Sequence, residues 1–183
     1  MQEEFEIFER MLSEAASRVA ALYFQLPVAQ LADAIYRERV YCYELYHQLR
    51  IRWNGFAFSL GGEVDKSGHP LFRGGPYAQA KPDLLVHEPG NMGRNLACVE
   101  VKPSIRPVAE FAEDLEKLTW FCDHAHYYRG IFLVYGSDDD ETPGLDLLRA
   151  RLRQAAEDRA IDLERICLMH HRGVGEQAAR IQL

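Results

Sequence analysis

The run Gly130-Ile131-Phe132-Leu133-Val134-Tyr135-Gly136 limits the folds open to this chain more than any other stretch. It is continuously apolar between two glycines, so both sets of alternating side chains avoid water, the mark of a strand buried on both faces. The segments around it supply what covers such a strand. Residues 3–23 place Phe5, Phe8, Leu12, Ala15 and Val19 at helical spacing before Pro27 interrupts them, and residues 28–52 repeat the pattern with Leu31, Ile35, Cys42, Leu45 and Leu49. Pro107 opens a third helix with the stripe Val108, Phe111, Leu115, Leu118 and Cys122, and a fourth is expected over 144–158.

Shorter alternating stretches predict the remaining strands, at 56–64, on either side of a turn-rich loop at 88–95, and at 165–170. Gly61 and Gly62 mark a bulge or a close backbone approach, residues 65–68 a turn and 69–79 a loop. The acidic run 138–141 is expected in a loop, and the tail from 172 is read as a short helix or disordered. The order helix, helix, strand, hairpin, helix, strand, helix, strand is an α/β layout, a mixed central β-sheet flanked by helices. It forms one domain over 1–183: an N-terminal helix (1–27), a core (28–136) and a C-terminal helix and strand extension (137–183).

Composition narrows the function. No apolar run reaches the roughly 20 residues that span a bilayer, and the acidic start MQEEFEIFERM is unlike a secretory signal, so the expected compartment is cytoplasmic with no membrane partner. Cys42, Cys98, Cys122 and Cys167 form no CxxC pair and read as reduced, buried thiols. Cys122 and His126 share a helix face, yet no fourth ligand accompanies them and His124, so packing outweighs a zinc site. No P-loop, dinucleotide turn or nucleophile elbow is present. The net charge of −7 argues against a surface that grips nucleic acid by phosphate neutralisation alone.

The hairpin at 80–103 carries the chemistry. A symmetric loop from Glu88 to Asn95 sets His87 opposite Leu96, Leu85 opposite Cys98, and Asp83 opposite Glu100. Strand parity sends Leu96, Cys98, Glu100 and Lys102 to one face and Ala97, Val99 and Val101 to the other. Opposed carboxylates have Cβ atoms roughly 5 Å apart and repel unless one is protonated or a cation lies between them.

Pro82-Asp83, followed on the next strand by Glu100-Val101-Lys102, resembles the signature of the PD-(D/E)xK nuclease superfamily. The resemblance covers about residues 28–136, and both the motif and the element order agree with it. It implies a restriction-endonuclease-like core of helix, three strands, helix and strand. It also implies a DNA phosphodiester hydrolase in which Asp83 and Glu100 bind Mg²⁺ or Mn²⁺ and Lys102 assists attack by water. A glutamate on the helix before the first strand completes the metal site in many relatives, and Glu44 lies where that residue would be. Enzymes of this kind that cut both strands often act in pairs, which brings a homodimer or larger complex into view.

Each of these readings has a competitor. Asp83 and Lys102 would, in the plainer case, form a cross-strand ion pair with Glu100 facing solvent. His87, on the Asp83 face, is either an accessory phosphate contact or a structural histidine, and Glu63 and Lys66 either border the site or belong to a surface turn. Asp114 with Lys117, and Glu113 with Lys117, read as helix-surface ion pairs. Arg37, Arg39, Arg50 and Arg52, interleaved with Tyr41, Tyr43 and Tyr46, are candidates for nucleic-acid contact, or a solvated helix face whose tyrosines pack inward. The competing function is a non-catalytic interaction protein that keeps the nuclease fold and binds nucleic acid or a protein.

Overall fold

The computed structural model describes residues 1–64, 70, 76–77, 80–136 and 144–183. The expected turn at 65–68 with Lys66, most of the 69–79 loop and the acidic run 138–141 lie outside the described residues. The expected mixed sheet forms. Its six strands, β1 (Ser59–Gly62), β2 (Leu84–His87), β3 (Asn95–Pro103), β4 (Arg129–Tyr135), β5 (Ile166–His171) and β6 (Ala179–Arg180), lie in sequence order across it. β1, β2 and β3 pair antiparallel, β3, β4 and β5 parallel, and β6 returns antiparallel to β5. The tail, expected as a helix or disordered, thus supplies an edge strand, because Met169 and His170 offer it a free ladder.

Helices cover both faces. On one side α1 (Gln2–Ala16) and α3 (Glu38–Arg52) bury Phe5, Phe8, Leu12, Tyr41, Leu45 and Leu49 against Val99, Val101, Ile131, Leu133 and Tyr135. On the other, α4 (Val108–His124) and α5 (Gly144–Asp158) bury Phe111, Leu115, Leu118 and Leu152 against Leu85, Cys98, Phe132 and Val134. The alternation along β4 between the two cores is the period-2 geometry of a strand buried on both faces.

Two helices are shorter than their apolar spacing predicts. α1 ends at Ala16, where Ser17 Oγ donates to the Glu14 carbonyl and Arg18 N to that of Ala15, and the chain turns into the four-residue α2 (Ala21–Phe24). α3 begins at Glu38 rather than near residue 28. Leu26 and Ile35 pair in an isolated bridge, with amide-to-carbonyl distances of 2.8 and 3.0 Å, which bends 28–34 into a loop and leaves Leu31 exposed. This pair of backbone hydrogen bonds, made across the loop that Pro27 opens, overrides the helical spacing.

α3 is fixed to the sheet by aromatic packing. The Tyr41 ring stacks on Tyr135 with centroids 3.9 Å apart and planes 16° apart, and its hydroxyl lies 2.8 Å from His171 Nδ1. Burial, the main cause, lowers the His171 pKa to about 4, so the ring that shares this hydrogen bond is neutral. Gly136 closes β4 at φ +89°, where a Cβ would lie 2.7 Å from the Tyr36 ring. Tyr41→Phe is expected to lower stability by about 1–2 kcal/mol, measured by urea unfolding at pH 7, with the α-helical signal unchanged.

Candidate active site

The register between β2 and β3 runs Leu84 opposite Val99 and Leu85 opposite Cys98, which continues to Asp83 opposite Glu100. The ladder itself stops at Leu84, and Asp83 replaces it: its Oδ2 accepts the Val101 amide at 2.8 Å. Beyond that point β3 runs on beside β4, pairing Glu100 with Phe132 and Lys102 with Val134. At the other end of β2 the register slips. Val86 faces Ala97, but His87 faces Asn95, so Leu96 is an extra residue and not the partner of His87. Leu96 joins the core on the α1 and α3 side, against the parity expected for it. His87 is half-buried, about 13 Å along the strand from Asp83 at 3.3 Å per residue.

Glu100 is 3% exposed, so it does not face solvent, and Lys102 does not pair with Asp83. Lys102 Nζ is held at 3.0 Å from Glu38 Oε2 and 3.0 Å from Asp114 Oδ2. Lys117 Nζ lies 2.8 Å from Glu100 Oε2 and 2.9 Å from Asp114 Oδ1. Asp114 therefore clasps both lysines, one per oxygen. The other Glu100 oxygen, Oε1, is buried and accepts no hydrogen bond.

The sequence reading missed Asp114, Lys117 and Glu38. The i,i+3 pair of Asp114 and Lys117 forms as expected at 2.9 Å, but it is not a surface pair: Asp114 is 7% exposed and Lys117 also reaches Glu100 on β3, while Glu113 lies 4.0 Å from Arg159 instead of pairing with Lys117. One signal was present: Asp114 interrupts the stripe Phe111, Leu115, Leu118, Cys122 at a position that faces the sheet. Glu38 is the helix carboxylate that reaches Lys102; Glu44, six residues on and so about 9 Å further along the axis on another face, accepts from Gln48 Nε2 at 2.7 Å. The helix expected over 28–52 contains Glu38, but nothing in its spacing marks that residue out; the observed start at Glu38 brings it to Lys102.

The electrostatics follow from burial. Desolvation, opposed by the Val101 amide and reinforced by Glu38, raises the Asp83 pKa to about 7. Desolvation and then Asp83 push Glu100 well above the ordinary carboxylate range. For Lys102 burial opposes the charge, but Asp114 and Glu38 outweigh it and hold the ammonium above the usual lysine value; Glu100 and Asp114 do the same for Lys117. Glu38, Asp83, Glu100 and Asp114 outnumber Lys102 and Lys117 by two charges when all are ionised, the deficit that one divalent cation fills. Hard carboxylate oxygens, one of them buried without a donor, suit Mg²⁺ or Mn²⁺. Among the described residues no three His, Cys, Asp or Glu side chains stand together as a preformed ion site, the lysines taking up part of the charge.

The other candidates separate. Arg37 and Arg39 sit at one end of α3 and Arg50 and Arg52 at the other, about 20 Å apart. Arg39 pairs with Glu63 at 3.1 Å, and Arg52 donates to the Gln48 carbonyl and side chain. Tyr41 is buried in the core and Tyr46 donates to the Leu60 carbonyl, whereas Tyr43 is exposed. Cys122 is a buried free thiol, and His124 stacks on Trp120 with centroids 5.0 Å apart. No helix among the described residues is long and apolar enough to cross a membrane. No family model matches the chain, and a search of curated proteins finds no significant match.

Two predictions follow from the charge balance. A carboxyl whose folded pKa is raised binds its proton more tightly in the native state, so its contribution to stability falls as pH rises from about 4 to 7 and is flat above. Asp83→Asn keeps an acceptor for Val101 without the charge. Its stability relative to wild type, measured without metal, should grow over that interval to about 1–3 kcal/mol at pH 8. Asp114→Asn should cost about 2–4 kcal/mol at pH 7, because two part-buried ammoniums lose their shared counter-ion, read by chemical denaturation.

Proposed function

We propose that the chain is a divalent-metal-dependent nuclease that hydrolyses phosphodiester bonds, with DNA as the first substrate to test, built on a restriction-endonuclease-like core of the PD-(D/E)xK kind. The observation that carries the reading is the continuation of the β2–β3 register to Asp83 and Glu100 beside a lysine kept charged at Lys102. The element order α3, β1, β2, β3, α4, β4 supports it, because it is the core order that the resemblance implies.

Asp83 and Glu100 are the residues that would hold the ion, with Glu38 on the helix before β1 in the place expected for Glu44. Bound there, the metal supplies a Lewis acid for the phosphoryl oxygens and an acidified water. The Val101 amide orients Asp83. Glu38 and Asp114 fix the Lys102 ammonium, and its raised pKa favours a role as a positive charge for the developing pentacoordinate phosphate over one as a general base. Glu100 Oε1, buried and without a donor, is the oxygen left to the ion.

The second reading, a non-catalytic protein of the same fold, is favoured by the net charge of −7 and by the ion pairs that occupy Lys102 and Lys117. A cleavage panel with Mg²⁺ and Mn²⁺ over plasmid, linear duplex, single-stranded DNA and RNA decides between them. Metal-dependent cleavage of any of these supports the nuclease; metal binding with no cleavage across the panel supports the interaction protein. In the active case Lys102→Met is expected to lower nicking by about 100-fold or more while leaving Mn²⁺ affinity by calorimetry within about threefold, and Glu100→Gln to weaken that affinity by at least tenfold.

A further inference from the structure

The ammonium of Lys117 occupies the position of a counter-ion to Glu100. It lies on α4, outside the motif Asp83, Glu100, Lys102, yet at 2.8 Å it is the group that bonds Glu100 Oε2, and its second contact, 2.9 Å to Asp114 Oδ1, ties it to the helix. Glu100 is 3% exposed and its Oε1 is buried without a donor, so the carboxylate is only half satisfied by the lysine. An ion that needs Glu100 as a ligand meets the Lys117 charge beside it. Two cations at one carboxylate repel, and in a site shielded from water the repulsion is barely screened.

We infer that Lys117 is a resident cation that competes with the divalent metal for Glu100, so that metal loading requires its ammonium to let go of Glu100 while Asp114 retains it. This inference rests on the nuclease reading only in taking Glu100 as a metal ligand. The geometry gives Lys117 somewhere to go: Asp114 offers Oδ1 to Lys117 and Oδ2 to Lys102, so the displaced ammonium keeps a partner inside the site. The cost of release is the Glu100 contact alone. Without metal, the same contact keeps a buried carboxylate from standing unpaired. The protein thereby trades metal affinity for a metal-free state that stays folded.

The test is calorimetric titration with Mn²⁺ and Mg²⁺, paired with thermal unfolding with and without the ion, on the full chain. Lys117→Met removes the competitor and is expected to tighten metal binding by about tenfold or more, within the usual size of a coupling between sites, and to enlarge the metal-induced rise in Tm although the metal-free protein is less stable. Lys117→Arg keeps the charge with a two-pronged donor and is expected to weaken binding by a similar factor. If Lys117→Met does not fold, Lys117→Gln carries the same expectation. Glu100→Gln combined with Lys117→Met should recover most of the lost metal-free stability, since the unpaired buried charge is gone.

Equal or weaker metal affinity in a folded Lys117→Met or Lys117→Gln, alongside clear binding by wild type, overturns the inference and leaves the nuclease reading standing. Absence of binding in wild type and in every Lys117 variant overturns both. Binding by the variants where wild type shows none is the strongest support, because the lysine then blocks the site outright.

Discussion

The structure turns on one costly act, the placing of Glu100 inside the sheet. Glu100 lies beside Phe132 in the β3–β4 ladder at 3% exposure, and a carboxylate there loses its water without a ready replacement. The charges on α3 and α4 that converge on the end of β3 answer that cost. Lys117 pairs with Glu100, Asp114 bridges Lys117 and Lys102, and Glu38 completes the coordination of Lys102. The network spans elements from both helical layers, so it ties the start of α3 and the middle of α4 to the end of β3.

A network of this sort is a poor way to gain stability, since well-packed apolar residues would do as well or better. Under the proposed nuclease reading, the network at the end of β3 prepares the site for a cation. The excess of two negative charges when all are ionised and the donor-less oxygen of Glu100 leave room for positive charge, and burial, the main cause, raises the pKa of Asp83 and Glu100 in its absence. The carboxylates are held apart from solvent by the structure, not by each other.

Much of the fold was legible from periodicity. The strand at β4, the helices α4 and α5, and the antiparallel pairing of β2 with β3 follow from side-chain alternation and from turn residues, because those signals are local. The errors arose where a nonlocal contact decided the outcome. The Leu26–Ile35 bridge delays α3, the bulge at Leu96 shifts His87, and the pairing with β5 turns the tail into β6. Each depends on backbone groups distant in sequence or on one unpaired residue, neither of which apolar spacing records.

The sequence by itself pointed to Asp83 opposite Glu100 on the assumption of a symmetric loop, and the Leu84–Val99 and Leu85–Cys98 pairs continue to that register although the loop end slips at His87. It also determined that Lys102 would share their strand face. What only the tertiary structure decided is the company these groups keep. Asp114 and Lys117 read as an ordinary surface pair on a helix, and Glu38 as an unmarked position within the helix expected over 28–52, until α4 is laid across the sheet and α3 is started at the right residue. A helix shows its own faces in its sequence, but which face meets which strand is settled by packing the apolar layers, and the charged site forms where that packing leaves β3 longer than β2.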